Sequence, residues 1–290
     1  MIPPPYKSPD AVVSAVRELP TPYERPDVLD RLLENMNSQI DQINALLRVD
    51  FATIIKIFSI SNSALMGTDE KILAINDAIT NLGHLEIEKI LNDTRGPEKF
   101  PEFPRQLFSL ISFWNHSLTT AFAAETIATF IKQKDTEKFY LSGLLHDIGR
   151  LLMLISMPKH YAISMLEGRQ KERSLQSQEL RIFSFDHTEV GVEAIRSWNL
   201  PDFLEEPVEF HHSPTDSHQH SLLTNVTHLA DALAHALHYG HSGEMMMPKI
   251  YSNNLGELGI APHHLSELAC ETANRVSPML IRRSPVPASA

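Results

Sequence analysis

Residues 144–150 read Leu-Leu-His-Asp-Ile-Gly-Arg, which places His146 beside Asp147 at the end of an apolar run. A neutral imidazole and a hard carboxylate at adjacent positions can both reach one cation. The pair alone is weak evidence, because this dipeptide occurs by chance in many chains. An ordered set of further candidate ligands lies at helix-sized intervals on both sides of the pair, and this set is the stronger evidence: His116, His187, His211, His212 and Asp231.

Composition narrows the class of protein. The chain has 290 residues, of which 42% are hydrophobic and 21% are charged, as in ordinary globular proteins rather than disordered or fibrous ones. The formal net charge of −11 argues against binding to duplex DNA, since that affinity comes from clustered lysine and arginine. A single cysteine, Cys270, excludes an internal disulfide and a cysteine-based structural zinc site.

The sequence shows no apolar run that is long enough to span a membrane. The first residues lack the apolar core of a signal peptide. The apolar run at 151–157 is much shorter than the roughly 20 residues that cross a bilayer. We therefore expect a cytoplasmic protein without a membrane partner.

Apolar residues recur at helical spacing through most of the chain. Phe51, Ile54, Ile55 and Phe58 are one example, and shorter stripes fall within 29–47. Alternating strand patterns and hairpin signals are not found. The spacing predicts an all-α protein, with a loop-rich segment at 240–259 and with these main helices: 105–132, 136–147, 174–184, 187–197, 218–239 and 264–281.

A proline-rich segment divides the chain. Residues 95–104 contain three prolines and one glycine, which predicts a junction. We expect a bundle of short helices at 1–104, a second helical domain at 105–283, and a disordered tail at 284–290.

The residue pattern leaves the role of the candidate ligands open. A lone histidine is usually solvated or hydrogen-bonded rather than a ligand. On a helical wheel, Asp231 lies opposite an apolar stripe and beside His228, His235 and His238, which favours a solvent-facing position. Small neighbours of Asp231 such as Ala230 leave room for a second packed surface instead.

Three motifs resemble the HD-domain superfamily, and more closely its HDOD branch. They are Phe-Trp-Asn-His-Ser at 113–117, the 144–150 stretch, and His-Leu-Ala-Asp-Ala at 228–232. Further HDOD-like segments bring the resemblance to roughly residues 15 to 240: 62–67, 75–83, 185–191 and 198–201. The resemblance implies an HD-domain-like helical core in 105–283 and a bacterial signalling protein.

The same resemblance implies a site and a reaction. His116, His146, Asp147 and Asp231 would bind one divalent ion. In the multinuclear version of the related HD-GYP phosphodiesterases, His187, His211 and His212 would bind a second, with Asp147 bridging. Two such ions about 3.5–4 Å apart activate a hydroxide toward phosphorus. The implied activity is a metal-dependent phosphohydrolase acting on a phosphoester or nucleotide, and the donor set suits Fe, Mn, Zn or Co.

Two positions depart from the family pattern. Arg150 replaces a lysine, which keeps a positive charge for a phosphate but makes it a planar fork. After His211 and His212 comes Ser-Pro-Thr-Asp rather than a Gly-Tyr-Pro signature, so specificity for cyclic dinucleotides is not implied. The residues implied to act in catalysis are Asp147 and Arg150.

Two other functions fit the same residues. One is a non-catalytic output module that binds a protein or nucleotide, with a structural metal. The other, less favoured, is a di-iron oxygenase-like use of the ligands. A separate signalling protein is the expected partner, because no receiver, kinase or cyclase segment is evident in the 290 residues.

Overall fold

The computed structural model describes residues 4–20, 48–63, 71–93, 103–104, 106–250 and 252–281. Within these ranges every regular element is a helix and no strand is found, so the all-α prediction is confirmed. The helices predicted from the stripes within 29–47 lie outside the described residues, as do most of the junction at 95–104 and the tail at 284–290.

In the described part of the chain, three helices precede the predicted junction: α1 (Pro9–Ala15), α2 (Phe51–Ser61) and α3 (Ile75–Asp93). Helix α2 begins where the Asp50 carboxylate accepts hydrogen bonds from the amide and the hydroxyl of Thr53. Helix α3 is kinked at Gly83, whose φ of 71° lies in the left-handed region that favours glycine. The predicted stripe on α2 is buried, as expected.

Helix α4 (Leu110–Phe130) is the central helix and is buried along its whole length from Phe113 to Ala128. It begins five residues after the predicted start at 105, where the Ser109 hydroxyl accepts a hydrogen bond from the amide of Ser112.

Within the described residues, nine helices follow α4: α5 (Glu137–Leu145), α6 (Ile148–Ser156), α7 (Pro158–Lys171), α8 (Leu175–Phe183), α9 (His187–Ser197), α10 (Glu205–Phe210), α11 (Ser221–Leu237), α12 (Ser252–Glu257) and α13 (Leu265–Val276). Of these, α5, α11 and α13 pack most extensively against α4. Helices α5, α8, α9, α11 and α13 match predicted segments to within a few residues. Helices α6, α7 and α10 were not predicted, and α12 lies in the segment expected to be loop-rich.

The main hydrophobic core includes residues from both sides of the predicted junction. Val12 of α1 and Phe51 of α2 belong to it together with Trp114 of α4 and Val190 of α9. The rings of Phe51 and Trp114 stack with their centroids 4.6 Å apart. The two parts of the chain thus share a buried core, and the division at residue 104 stays a prediction.

The helices on either side of the His146–Asp147 pair pack closely against α4 and α9. A side chain at Gly143 would lie 2.7 Å from the Thr120 carbonyl oxygen, so α5 approaches α4 at backbone distance. A side chain at Gly149 would lie 1.9 Å from the His187 carbonyl oxygen, so α6 and α9 are equally close. Only glycine fits such contacts. The residues between α5 and α6 are therefore held against α4 on one side and α9 on the other.

Among the described residues, one segment is long and apolar enough to cross a membrane by composition alone. It is Glu137–Ser156, with a mean hydropathy of 1.2. Inside the protein 89% of this apolar window is buried, which is typical of a core segment.

Candidate metal centre

The structure brings together the side chains of all seven predicted ligands, from five parts of the chain. They are His116 on α4, His146 and Asp147 between α5 and α6, His187 at the start of α9, His211 and His212 directly after α10, and Asp231 on α11. All are buried except His212, which is partly exposed.

Asp147 lies at the centre of this cluster, and its two carboxylate oxygens face different histidines. Oδ2 is 3.4 Å from His146 Nε2 and 3.7 Å from His116 Nε2. Oδ1 is 3.4 Å from His187 Nε2 and 3.6 Å from His211 Nε2. One carboxylate is therefore shared between two groups of imidazoles.

The first set consists of His116, His146, Asp231 and Asp147 through Oδ2. Asp231 Oδ1 is 3.2 Å from His116 Nε2 and 3.6 Å from His146 Nε2. His235, one turn after Asp231, also approaches, with its Nε2 3.5 Å from Asp231 Oδ1. The sequence missed His235, because the helical wheel put it on a solvent-facing side.

Asp231 is itself only 3% exposed, contrary to the wheel. Helix α11 packs against α4 and α5 and also against α10, so both of its sides are covered.

The second set consists of His187, His211, His212 and Asp147 through Oδ1. One ligand atom from each of these residues lies within 4.8 Å of all the others. His212 Nε2 is 3.1 Å from His187 Nε2.

Several polar atoms that face the centre of the cluster have no hydrogen-bond partner. They are the Nε2 atoms of His116, His146 and His211 and the Oδ1 atom of Asp231. Burying such an atom unpaired costs about 1–3 kcal/mol. Two ligand atoms that each lie about 2.0–2.2 Å from one ion are roughly 3–3.5 Å apart, close to the spacings above. The buried His/Asp cluster therefore suits a metal ion.

Hydrogen bonds on the far side of three rings direct their Nε2 lone pairs inward. His146 Nδ1 donates to the Gly143 carbonyl at 2.8 Å, and His211 Nδ1 donates to the Val208 carbonyl at 3.0 Å. His187 Nδ1 donates to a carboxylate oxygen of Glu179 at 2.6 Å. Such outer contacts fix the ring orientation of metal-binding histidines.

Glu179 on α8 is fully buried, and the sequence did not single it out. Its carboxylate also accepts the His187 amide at 3.0 Å and the Tyr161 hydroxyl at 2.5 Å. Although burial alone would raise the pKa of Glu179, the neighbouring His187 and Arg150 bring it below the ordinary value. Nothing in the pattern distinguishes this residue from another polar residue of an amphipathic helix.

Arg150 is 1% exposed and contacts the second set. Its Nε is 2.9 Å from Asp147 Oδ1, its Nη2 is 3.1 Å from His212 Nε2, and its Nη1 donates to the Ser242 hydroxyl at 3.0 Å. Burial opposes ionisation of Asp147, but Arg150 and His146 hold the pKa of this carboxyl well below its usual range.

The pKa values of His146 in the first set and of His211 and His212 in the second set shift in opposite directions. Burial lowers the pKa of His211 to about 4, and it lowers that of His212 too. Burial also acts to lower the pKa of His146, but Asp147 and Asp231 outweigh it and raise that pKa to about 10. The carboxylates of Asp147 and Asp231 therefore favour a positive charge at His146.

One protein of known sequence is similar to part of this chain. An uncharacterized protein of Treponema pallidum is 26% identical over 188 residues, which cover 64% of this chain but only 36% of that protein. The chain therefore spans about a third of that relative's length.

Two solved structures resemble the fold. The MmoQ response regulator from Methylococcus capsulatus has a TM-score of 0.67 at 20% identity, covering 88% of this chain and 99% of that one. An HDOD domain protein of unknown function from Geobacter sulfurreducens has a TM-score of 0.50 at 23% identity, covering 91% and 88%. The HDOD domain itself matches residues 19–214, more than half of the sequence. The chain belongs to the HDOD domain family.

Proposed function

We propose that this chain is a metal-dependent phosphohydrolase of bacterial signalling. The His/Asp cluster would bind one or two divalent ions, of Fe, Mn, Zn or Co, and cleave a phosphoester or nucleotide. The observation that carries the proposal is the Asp147 carboxylate, whose two oxygens face separate groups of imidazoles with unpaired, inward-facing nitrogens. Shared carboxylates of this kind occur in centres that act on phosphoesters.

Different residues of the cluster would bind the metal ion and the phosphate group. A divalent ion held by the cluster would lower the pKa of a water molecule used for attack on phosphorus. Asp147, His116, His146 and Asp231 would hold the ion. The guanidinium of Arg150 places a fixed positive charge beside Asp147 for a phosphate oxygen.

Substrate would approach past the partly exposed members of the cluster. His212 is partly exposed, and the His235 side chain is 12% exposed, whereas the remaining ligands are buried. We further propose a cytoplasmic location and a separate signalling protein as partner, with neither duplex DNA nor a membrane as a ligand.

Metal analysis combined with an activity assay tests the proposal. Protein purified without oxygen would be assayed for bound metal and for hydrolysis of bis(p-nitrophenyl) phosphate and a cyclic dinucleotide, beside Asp147→Ala. We expect bound metal and activity in the wild type and neither in the variant. Asp135→Ala, at an exposed aspartate, is the matched control and should behave as the wild type. Metal without any turnover would overturn catalysis, and a wild type without metal would overturn the metal centre.

The burial of the cluster favours a second candidate, a non-catalytic signalling module with a structural metal. Each of the four residues of the first set is at most 3% exposed, so a bulky ester has limited access to them. In that case metal removal would lower the melting temperature and weaken binding of a partner, while no phosphoester would be turned over.

A further inference from the structure

We infer that the guanidinium of Arg150 takes the place of a second metal ion, so that the centre holds a single ion in the first set. This inference rests on the metal centre of the proposed function and specifies its nuclearity. It concerns the second set, where the resemblance to HD-GYP enzymes implies another ion.

The two sets differ in the charge that already lies beside them. In the second set, Arg150 Nε is 2.9 Å from Asp147 Oδ1, the oxygen that a second ion would need. In the first set, Asp231 has no arginine or lysine partner among the described residues. Its ion pairs there are all with histidines. The permanent positive charge of the Arg150 guanidinium therefore lies on one side of the shared carboxylate.

Arg150 also occupies a ligand atom of the second set. Its Nη2 is 3.1 Å from His212 Nε2. A guanidinium has donors and no acceptor, so the lone pair of His212 Nε2 accepts this contact instead of facing an ion. Two of the four ligand atoms of the second set, from Asp147 and His212, are thus already in contact with a cation.

The arginine is held in this position. Its Nη1 donates to the buried Ser242 hydroxyl at 3.0 Å, and the whole residue is 1% exposed. A guanidinium stays charged at any physiological pH. If the Arg150 side chain moved away from Asp147, its buried positive charge would lose this carboxylate partner, which is costly. A divalent ion bound to Asp147 Oδ1 would lie within a few ångströms of this charge, and the two would repel.

A lysine at this position would be a compact charge on a flexible stem. The planar fork of arginine reaches two neighbours at once, here Asp147 and His212. Arginine at position 150 therefore places a fixed cation next to a single ion.

The experiment counts ions and asks whether they are coupled. Metal-free protein would be loaded with excess Mn²⁺ and desalted, and manganese per chain would be measured together with the electron paramagnetic resonance spectrum. We expect one ion per wild-type chain with the resolved hyperfine pattern of an isolated Mn²⁺. In Arg150→Met and Arg150→Gln, a second ion should bind and give an exchange-coupled spectrum, with folding checked by circular dichroism. Arg196→Met, at an arginine whose side chain is 58% exposed, should stay at one ion.

Each outcome decides a separate claim. Two coupled ions in the wild type would overturn the inference whatever the variants do, and would leave the proposed hydrolase intact. Folded Arg150 variants that both remain at one ion would overturn it as well. A wild type that retains no ion would instead overturn the metal centre of the proposed function.

Discussion

Gly149→Ala should separate the two helices that meet beside the shared carboxylate. A Cβ at this position would lie 1.9 Å from the His187 carbonyl oxygen and 2.7 Å from the Gly191 amide nitrogen. Since real Cβ contacts are longer than 3.0 Å, the backbones of α6 and α9 must move apart by about 1 Å. Neither neighbour is the flexible end of a side chain, so the strain cannot be relieved by a rotamer change.

The size of the effect follows from two opposing contributions. Overpacking of a close helix contact costs about 1–3 kcal/mol. The better helix propensity of alanine returns at most about 1 kcal/mol. Because the contact is only 1.9 Å and is made to backbone, the cost lies in the upper part of that range, about 2–3 kcal/mol. The net loss is then about 1–2 kcal/mol, which lowers the melting temperature by roughly 2–8 °C in a protein of this size.

Thermal unfolding followed by far-ultraviolet circular dichroism measures this loss. Gly256→Ala on α12 is the matched control, because a Cβ there meets no atom within 4 Å. The control should melt at or slightly above the wild-type temperature, since alanine favours helix. If Gly149→Ala melts as high as the control, α6 and α9 are not in backbone contact and the packing described around the centre is wrong.

Three further substitutions test other parts of the site. Glu179→Gln weakens the charge-assisted bonds to the His187 ring and amide and should cost about 1–3 kcal/mol in unfolding free energy, while Mn²⁺ per chain stays at one. Asp231→Asn removes a charge of the first set and should lower Mn²⁺ per chain well below one under the same loading; full retention would contradict the first set as the ion site. Burial opposes ionisation of Glu206, but donors at 217–220 lower the pKa of this carboxyl from 4.5 to about 2, so it stabilises the fold above pH 4.5 and loses this effect as the pH falls toward 2. The difference in urea-unfolding free energy between wild type and Glu206→Gln should therefore shrink across that range, and a constant difference would contradict the assignment.

The spacing of apolar residues correctly predicted several helices that have one buried side and one exposed side. Helices α8, α9 and α13 each have a buried and an exposed side, and each was predicted close to its observed limits. Helix α6 was not predicted, and its residues from Ile148 to Leu154 are all buried, including Arg150, so the polar residue does not mark an exposed side.

Asp231 shows the limit of the helical wheel. The wheel compares the residues of one helix with one another and favours the apolar side for burial. A helix packed on two sides has a second buried side that need not be apolar, and polar residues there can meet a common centre. His235 was missed for the same reason.

The sequence by itself determined the all-helical class, the family and the seven candidate ligands, because helical spacing and short motifs depend on neighbouring residues. Tertiary structure alone decided that Asp147 divides its oxygens between two sets of histidines, that Glu179 supports His187, and that Arg150 reaches His212. These contacts join residues on different helices, and the last spans 62 positions along the chain. Which helix sides meet is set by packing at places such as Gly149, where backbones touch, and no local pattern records it.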